Sequence, residues 1–229
     1  MVSSEHSYNH RFVSGAPVPW QPGKAVCVGR NFADHAAELN NAVPDQALLF
    51  LKPASAMVAF TNPLRLASRF GCTQYETEMT LLIGKRLSCC KEKEASTAIA
   101  GLGIGLDLTL RELQSDLKAK GYPWERAKAF DGSCVLSSFI AVNDGIDLQN
   151  IRVRLWRNGR LAQDGNTELM LFPVLSLLQD ISRSFTLMPG DVVMTGTPKG
   201  VGELHEGDKL VAELGTLVSA EATVVFENA

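Results

Sequence analysis

Apolar and polar positions alternate or cluster in short runs along most of this chain, and helical spacing is confined to a few stretches. The strongest run is Tyr75-Glu-Thr-Glu-Met-Thr-Leu-Leu-Ile-Gly84, where Thr77, Thr80, Leu81, Leu82 and Ile83 give the composition of a β-strand. Further strands are predicted at 24–28, 47–52, 192–194, 209–214 and 217–226, with a glycine-rich one at 101–106. Residues 152–156 alternate, and Asn158-Gly159 predicts a tight hairpin into 160–163. Helices are predicted at 32–39 with Asn31 as N-cap, at 95–100, and at 169–182. Another opens on the capping box Thr109-Leu-Arg-Glu112 and stops at Gly121. The polar residues 1–23, with Pro17, Pro19 and Pro22, read as an irregular lead-in before a domain over 24–229.

Chemistry concentrates on the first of these strands. Alternate side chains of a strand share a face, so Glu76 and Glu78 point the same way. On a buried face, neighbouring carboxylates must hold a proton or bind a cation. Asp107, in Gly-Ile-Gly-Leu-Asp107-Leu-Thr, supplies a third carboxylate just ahead of a predicted helix N-terminus. Three oxygen ligands without a Cys or His cluster suit Mg²⁺ or Mn²⁺. Taken alone, Glu-x-Glu more often marks a solvent-facing edge strand, since carboxylates are ordinarily exposed. Arg111 and Gln114, in the first turns of the helix after Asp107, can reach the same place.

His35 and Glu38 are three apart on a predicted helix, where a carboxylate beside an imidazole fixes its tautomer and suits general-base work. Such pairs also occur as plain surface contacts. Lys52 is either a solvated strand end or a charge delivered to the site, and Lys128, flanked by apolar residues, is exposed or paired with an anion. The loop Thr195-Gly-Thr197-Pro-Lys-Gly200-Val-Gly202 lacks the order of a phosphate-binding loop but suits a carboxylate.

Composition narrows the partners. With 229 residues, 45% hydrophobic, 21% charged and net charge −3, the chain has the balance of a globular protein and no basic stripe for nucleic acid or anionic membrane. No apolar run is long enough to span a bilayer, and the start lacks signal-peptide character, so the cytoplasm is expected. Five cysteines (Cys27, Cys72, Cys89, Cys90 and Cys134) without Cys-x-x-Cys spacing read as free thiols.

Together these stretches resemble the short, acylpyruvase-like branch of the fumarylacetoacetate hydrolase family. The matching segments are Cys27 to Glu38, Phe50-Leu-Lys-Pro53, Tyr75-Glu-Thr-Glu78, Leu106 to Gln114, Pro123 to Phe130 and Pro189 to Gly202. The resemblance implies an α+β fold, predominantly β: a mixed-sheet β-roll with peripheral helices, usually a homodimer. It implies Mg²⁺ or Mn²⁺ held by Glu76, Glu78 and Asp107, and a small 2-oxo acid contacted by Lys128 and Thr197, with Arg111, Gln114 and Arg30 alongside. His35 and Glu38 match the family's water-activating dyad on a lid, whereas Gln74 stands where many members carry His or Asp. Chelated through carboxylate and keto oxygens, a 2-oxo acid reacts through an enolate. The dyad directs the expectation toward C–C hydrolysis of acylpyruvates, with oxaloacetate decarboxylation, enol–keto tautomerisation or a related isomerisation as alternatives, and a metal-binding scaffold without turnover as the non-enzymatic one.

Overall fold

The computed structural model describes residues 8–143 and 145–228. Its larger sheet runs in the spatial order Leu48–Lys52, Ala25–Gly29, Val192–Met194, Thr77–Ile83, Ile99–Asp107, Cys134–Leu136 and Met57–Ala59, with Ile140–Ala141 attached to Ile99–Asp107. A second sheet runs Arg160–Asn166, Arg152–Arg157, Lys209–Leu214, Val218–Glu227 and Leu64–Ala67. Parallel pairs join Ala25 to Val192, Met57 to Cys134 and Val224 to Leu64, while the other neighbours run antiparallel, so both sheets are mixed. This is the predominantly β, mixed-sheet α+β architecture expected, with few helices at the periphery.

Thr77–Ile83 is buried along its whole length because both faces of its sheet are covered. Met79, Leu81 and Ile83 pack into a core shared with Leu155, Leu210 and Leu214 of the second sheet. Leu82, on the opposite face, joins Cys27, Cys134, Phe139 and Met194. The register sets Glu78, Thr80 and Leu82 opposite Gly105, Gly103 and Gly101. A Cβ on Gly105 would lie 2.6 Å from the Val135 carbonyl oxygen, and one on Gly103 would lie 2.9 Å from Thr80 Oγ1. The alternating glycines of Gly101-Leu-Gly-Ile-Gly105 therefore let the backbone close over the face that carries the carboxylates.

The hairpin forms as predicted, with Asn158 and Gly159 at φ 52° and 75°. Two predicted caps do not form. Phe32 is the N-cap of the helix Ala33–Glu38, and the Asn31 side chain instead donates to the carbonyls of Thr195 (2.8 Å) and Phe172 (3.2 Å). The Thr109 capping box is replaced by Leu110 as the N-cap of Arg111–Ala119. Thr109 is still paired with Gln74 through both backbone groups, and its hydroxyl accepts from Lys128 at 2.7 Å. That helix stops as expected before Gly121, at φ 68°. The helix expected over 169–182 is Val174–Ser184, because Pro173 suits the position just ahead of a first turn. The one expected at 95–100 is Glu92–Ala98, drawn forward by Glu94 accepting from the Lys91 amide.

Of the lead-in, residues 1–7 lie outside the described residues; from Tyr8 on it is irregular, touching the sheet through isolated bridges such as Phe12 with Phe139. All five cysteines are free. Among the described residues no helix is long and apolar enough to cross a membrane.

Candidate metal centre and adjoining cavity

Two adjacent strands build the acidic centre. Glu76 precedes Thr77–Ile83, Asp107 ends Ile99–Asp107, and the Asp107 amide donates to the Glu76 carbonyl at 2.8 Å, which fixes the two acids side by side. One carboxylate oxygen from each of Glu76, Glu78 and Asp107 lies within 4.8 Å of the others, and all three residues are buried. The solvent-facing edge strand is thereby ruled out.

Three cations hold this charge. Lys128 Nζ donates to Glu76 Oε2 and Asp107 Oδ2, each at 2.8 Å, and sits 5.1 Å from the centre of the Phe50 ring. Arg111 donates to the other oxygen of Glu76, to Gln74 Oε1 (3.0 Å) and to Gln114 Oε1 (2.8 Å). Lys52, with no exposed surface, lies 2.8 Å from Asp107 Oδ1 and donates to the carbonyls of Leu108, Lys128 and Ser133. Gln74 is thus a brace for Arg111 and not a ligand.

The electrostatics follow. Burial opposes the charge on Glu76, but Lys128 and Arg111 overcome it and hold the carboxyl well below the ordinary range. Burial likewise opposes the charge on Lys128, and Asp107 with Glu76 keeps it protonated above the usual lysine value. Glu78 goes the other way. Burial, then the charges of Asp107 and Glu76, push it well above the carboxylate range, against a 2.7 Å hydrogen bond from the Gly196 amide.

A hard divalent ion fits these residues. The donors are all oxygens, Glu78 has two anions beside it and no ion pair of its own among the described residues, and Asp107 Oδ1 is buried without an aligned hydrogen bond, its contact with Lys52 being one of charge alone.

Beside the centre lies a cavity of about 170 Å³, lined by Arg30, His35, Glu76, Arg111, Gln114 and Lys128 together with apolar walls that include Phe50 and Trp124. His35 is buried, and its Nδ1 lies 3.2 Å from Glu38 Oε2. An ionised carboxylate only accepts, so Nδ1 carries the proton and Nε2 is left as the base. Glu38 is steadied by the Gly200 amide at 2.9 Å. Thr197 is not among the residues lining the cavity. Its hydroxyl donates to the Thr77 carbonyl (2.9 Å) and accepts from Gln163 (2.8 Å), so it is placed as a strut of the loop whose Gly196 amide reaches Glu78.

Two participants escaped the sequence reading. For Lys52 the sequence offers a solvated strand end or a charge delivered to the site, and its one signal for the second is a lysine closing an apolar strand before Pro53. Gln163, in an alternating hairpin strand, gave none; it is buried and bridges the Thr77 amide (3.0 Å) to Thr197 and the Pro198 carbonyl (2.8 Å).

A family model described as "Fumarylacetoacetate (FAA) hydrolase C-terminal" matches residues 24–225. The chain belongs to the fumarylacetoacetate hydrolase family. Within that family it is 45% identical to the Escherichia coli oxaloacetate tautomerase YcgM, over 89% of this chain and 93% of that one. It is 38% identical to the human mitochondrial oxaloacetate tautomerase FAHD1, over 87% and 91%. Among solved structures, the Pseudomonas aeruginosa fumarylpyruvate hydrolase in complex with Mn²⁺ and pyruvate is 29% identical with a TM-score of 0.90, covering 99% of this chain and all of that one.

Proposed function

We propose that this protein is a divalent-metal-dependent tautomerase that interconverts the enol and keto forms of oxaloacetate. The observation that carries this reading is a buried three-carboxylate centre facing an oriented imidazole across one small cavity. Its specificity rests on likeness: the two tautomerases above are nearer in sequence than the hydrolase. The sequence-based preference for acylpyruvate hydrolysis accordingly moves to second place.

Tautomerisation carries a proton between the 2-oxygen and carbon 3. Glu76, Glu78 and Asp107 would hold a divalent ion, which would supply Lewis-acid stabilisation of negative charge on the 2-oxygen. Lys128, clamped by Glu76 and Asp107, presents a second, preorganised positive charge at the cavity wall. His35 Nε2 takes the proton from carbon 3 and, as the imidazolium, delivers it to the 2-oxygen, the reverse direction running the same transfer backwards, with Glu38 holding the ring and balancing the imidazolium. Because Arg111 holds the Gln114 carbonyl oxygen, the Gln114 amide group is left to donate to a substrate oxygen. Phe50 and Trp124 restrict water. If the same imidazole acted on a water, the outcome would be C–C hydrolysis, and the His35–Glu38 pair is the observation that favours this second reading.

The test is a side-by-side assay of oxaloacetate tautomerisation and acylpyruvate cleavage with added Mg²⁺. Dominant tautomerisation that falls by about 10²-fold or more in His35→Ala supports the proposal. Dominant cleavage would reverse the two readings, and Glu76→Gln with unchanged metal-dependent turnover would remove the metal from both.

A further inference from the structure

The helix Arg111–Ala119 sets Arg111, Gln114, Ser115 and Lys118 at i, i+3, i+4 and i+7, and all four line the cavity beside the acidic centre. Its polar stripe therefore faces the site. Arg111 is the inner rung, bound to Glu76. Lys118 lies two turns further on, about 10 Å along the axis at 1.5 Å per residue, and is exposed at the outer end of the stripe.

Charge pairing separates the two ends. The inner carboxylates Glu76, Glu78 and Asp107 are matched in number by Lys52, Lys128 and Arg111. Arg30 and Lys118 have no such match. Arg30 makes no ion pair among the described residues, and the hydrogen bond of Lys118 goes to a neutral amide, Asn41 Oδ1, at 2.7 Å. Arg30, Arg111 and Lys118 line the same small cavity, which brings these cations to one wall. Glu76 is the one acidic side chain in the cavity wall among the described residues.

Arg30 is also held in an unusual backbone state. At φ 59° it occupies the left-handed region, which a long side chain rarely adopts. The next residue, Asn31, anchors that turn by accepting from the Phe172 amide (2.7 Å) and donating to the Thr195 carbonyl (2.8 Å). Strain sustained by such bonding is a mark of a positioned functional residue.

We propose that Lys118, acting with Arg30, receives the second carboxylate of the substrate and so selects dianionic 2-oxo acids over those with a neutral tail. This inference rests on the proposed function for the position of the 2-oxo acid head, which lies at the acidic centre beside Lys128. A monoanionic acid would leave the outer cations unpaired, and a dianion pairs them. Reach suits Lys118, whose flexible stem brings a point charge to the rim, while Arg30 offers a fork matched to a carboxylate.

The experiment compares oxaloacetate with its 4-methyl ester, which keeps the head and masks the far charge, and with oxalate, which is a head alone. Binding is measured by calorimetry on the Mg²⁺-loaded protein and turnover by KM and kcat, for wild type, Lys118→Met and Lys118→Arg. The wild type is expected to prefer oxaloacetate to the ester by tenfold or more. Lys118→Met should lose most of that ratio through KM, with kcat for oxaloacetate reduced less than twofold, while Lys118→Arg retains it. An equal affinity of the wild type for acid and ester, or an unchanged ratio in Lys118→Met, would overturn the proposal. Absent turnover with the binding preference intact would instead overturn the tautomerase reading and leave this one standing.

Discussion

Lys52 and Glu78 show how single residues divide the work of stability and of metal binding. Lys52 is enclosed by Asp107 and three backbone carbonyls, so Lys52→Met strips the charge from Asp107 Oδ1 and leaves Lys128, on Oδ2, to hold the carboxylate. The expected cost approaches about 3–5 kcal/mol in a denaturant melt, the penalty for breaking a buried pair from one side, lessened by the Lys128 pair that remains on Oδ2. A loss under about 1 kcal/mol would mean that Asp107 finds compensation elsewhere. Glu78 behaves oppositely. Its carboxyl is pushed up in the metal-free protein by burial and then by Asp107 and Glu76, whereas an unfolded glutamate keeps the ordinary value. Between those two values the folded state binds the extra proton, so this residue makes stability fall as pH rises through that window. A cation reverses the sign by favouring the carboxylate. The increase in melting temperature produced by Mg²⁺ should therefore grow as pH rises, and Glu78→Gln should flatten the pH dependence. At this scale the sequence disclosed the carboxylates, because Glu-x-Glu and the distant Asp107 are visible as residue types. It could not settle Lys52, since a lysine at a strand end looks the same whether solvated or enclosed.

Elements decide which of those side chains meet. The glycines at 101, 103 and 105 remove side chains from the face that ends in Asp107, and this spacing was legible as a strand but not as a clearance. Gly105→Ala would place a Cβ 2.6 Å from the Val135 carbonyl, against backbone that cannot swing away. A loss of about 1–3 kcal/mol in thermal or urea melts is expected, with weakened metal binding, as for overpacking in a filled core. An alanine variant with wild-type stability would show that the strand separation is slack. The helix starts were less legible than the strands. Asn31 and Thr109 have the chemistry of caps, yet tertiary partners claimed both: backbone carbonyls across the sheet for Asn31, and the Lys128 ammonium for Thr109. Local signals lose where a buried cation or carbonyl needs the same oxygen or amide more.

For the whole molecule, the site is a product of long-range closure. Lys52, Glu76, Asp107 and Lys128 come from four separate segments and are joined by ion pairs that the mixed sheet alone makes feasible. The strand order was not deducible from alternation, since the parallel pairing of Ala25 with Val192 spans most of the chain. The hairpin at Asn158-Gly159 was deducible because its turn chemistry is local. The family resemblance supplied the convergence of the acids, and the geometry then gave it a physical basis in the burial and mutual distance of Glu76, Glu78 and Asp107. That convergence is the central claim, and it is tested most directly by a calorimetric titration of Mn²⁺ into the metal-free protein. One ion per chain should bind in the wild type, and binding should be lost or weakened at least tenfold in Asp107→Asn. No binding heat across a range of buffers, or an isotherm that Asp107→Asn leaves unchanged, would contradict it.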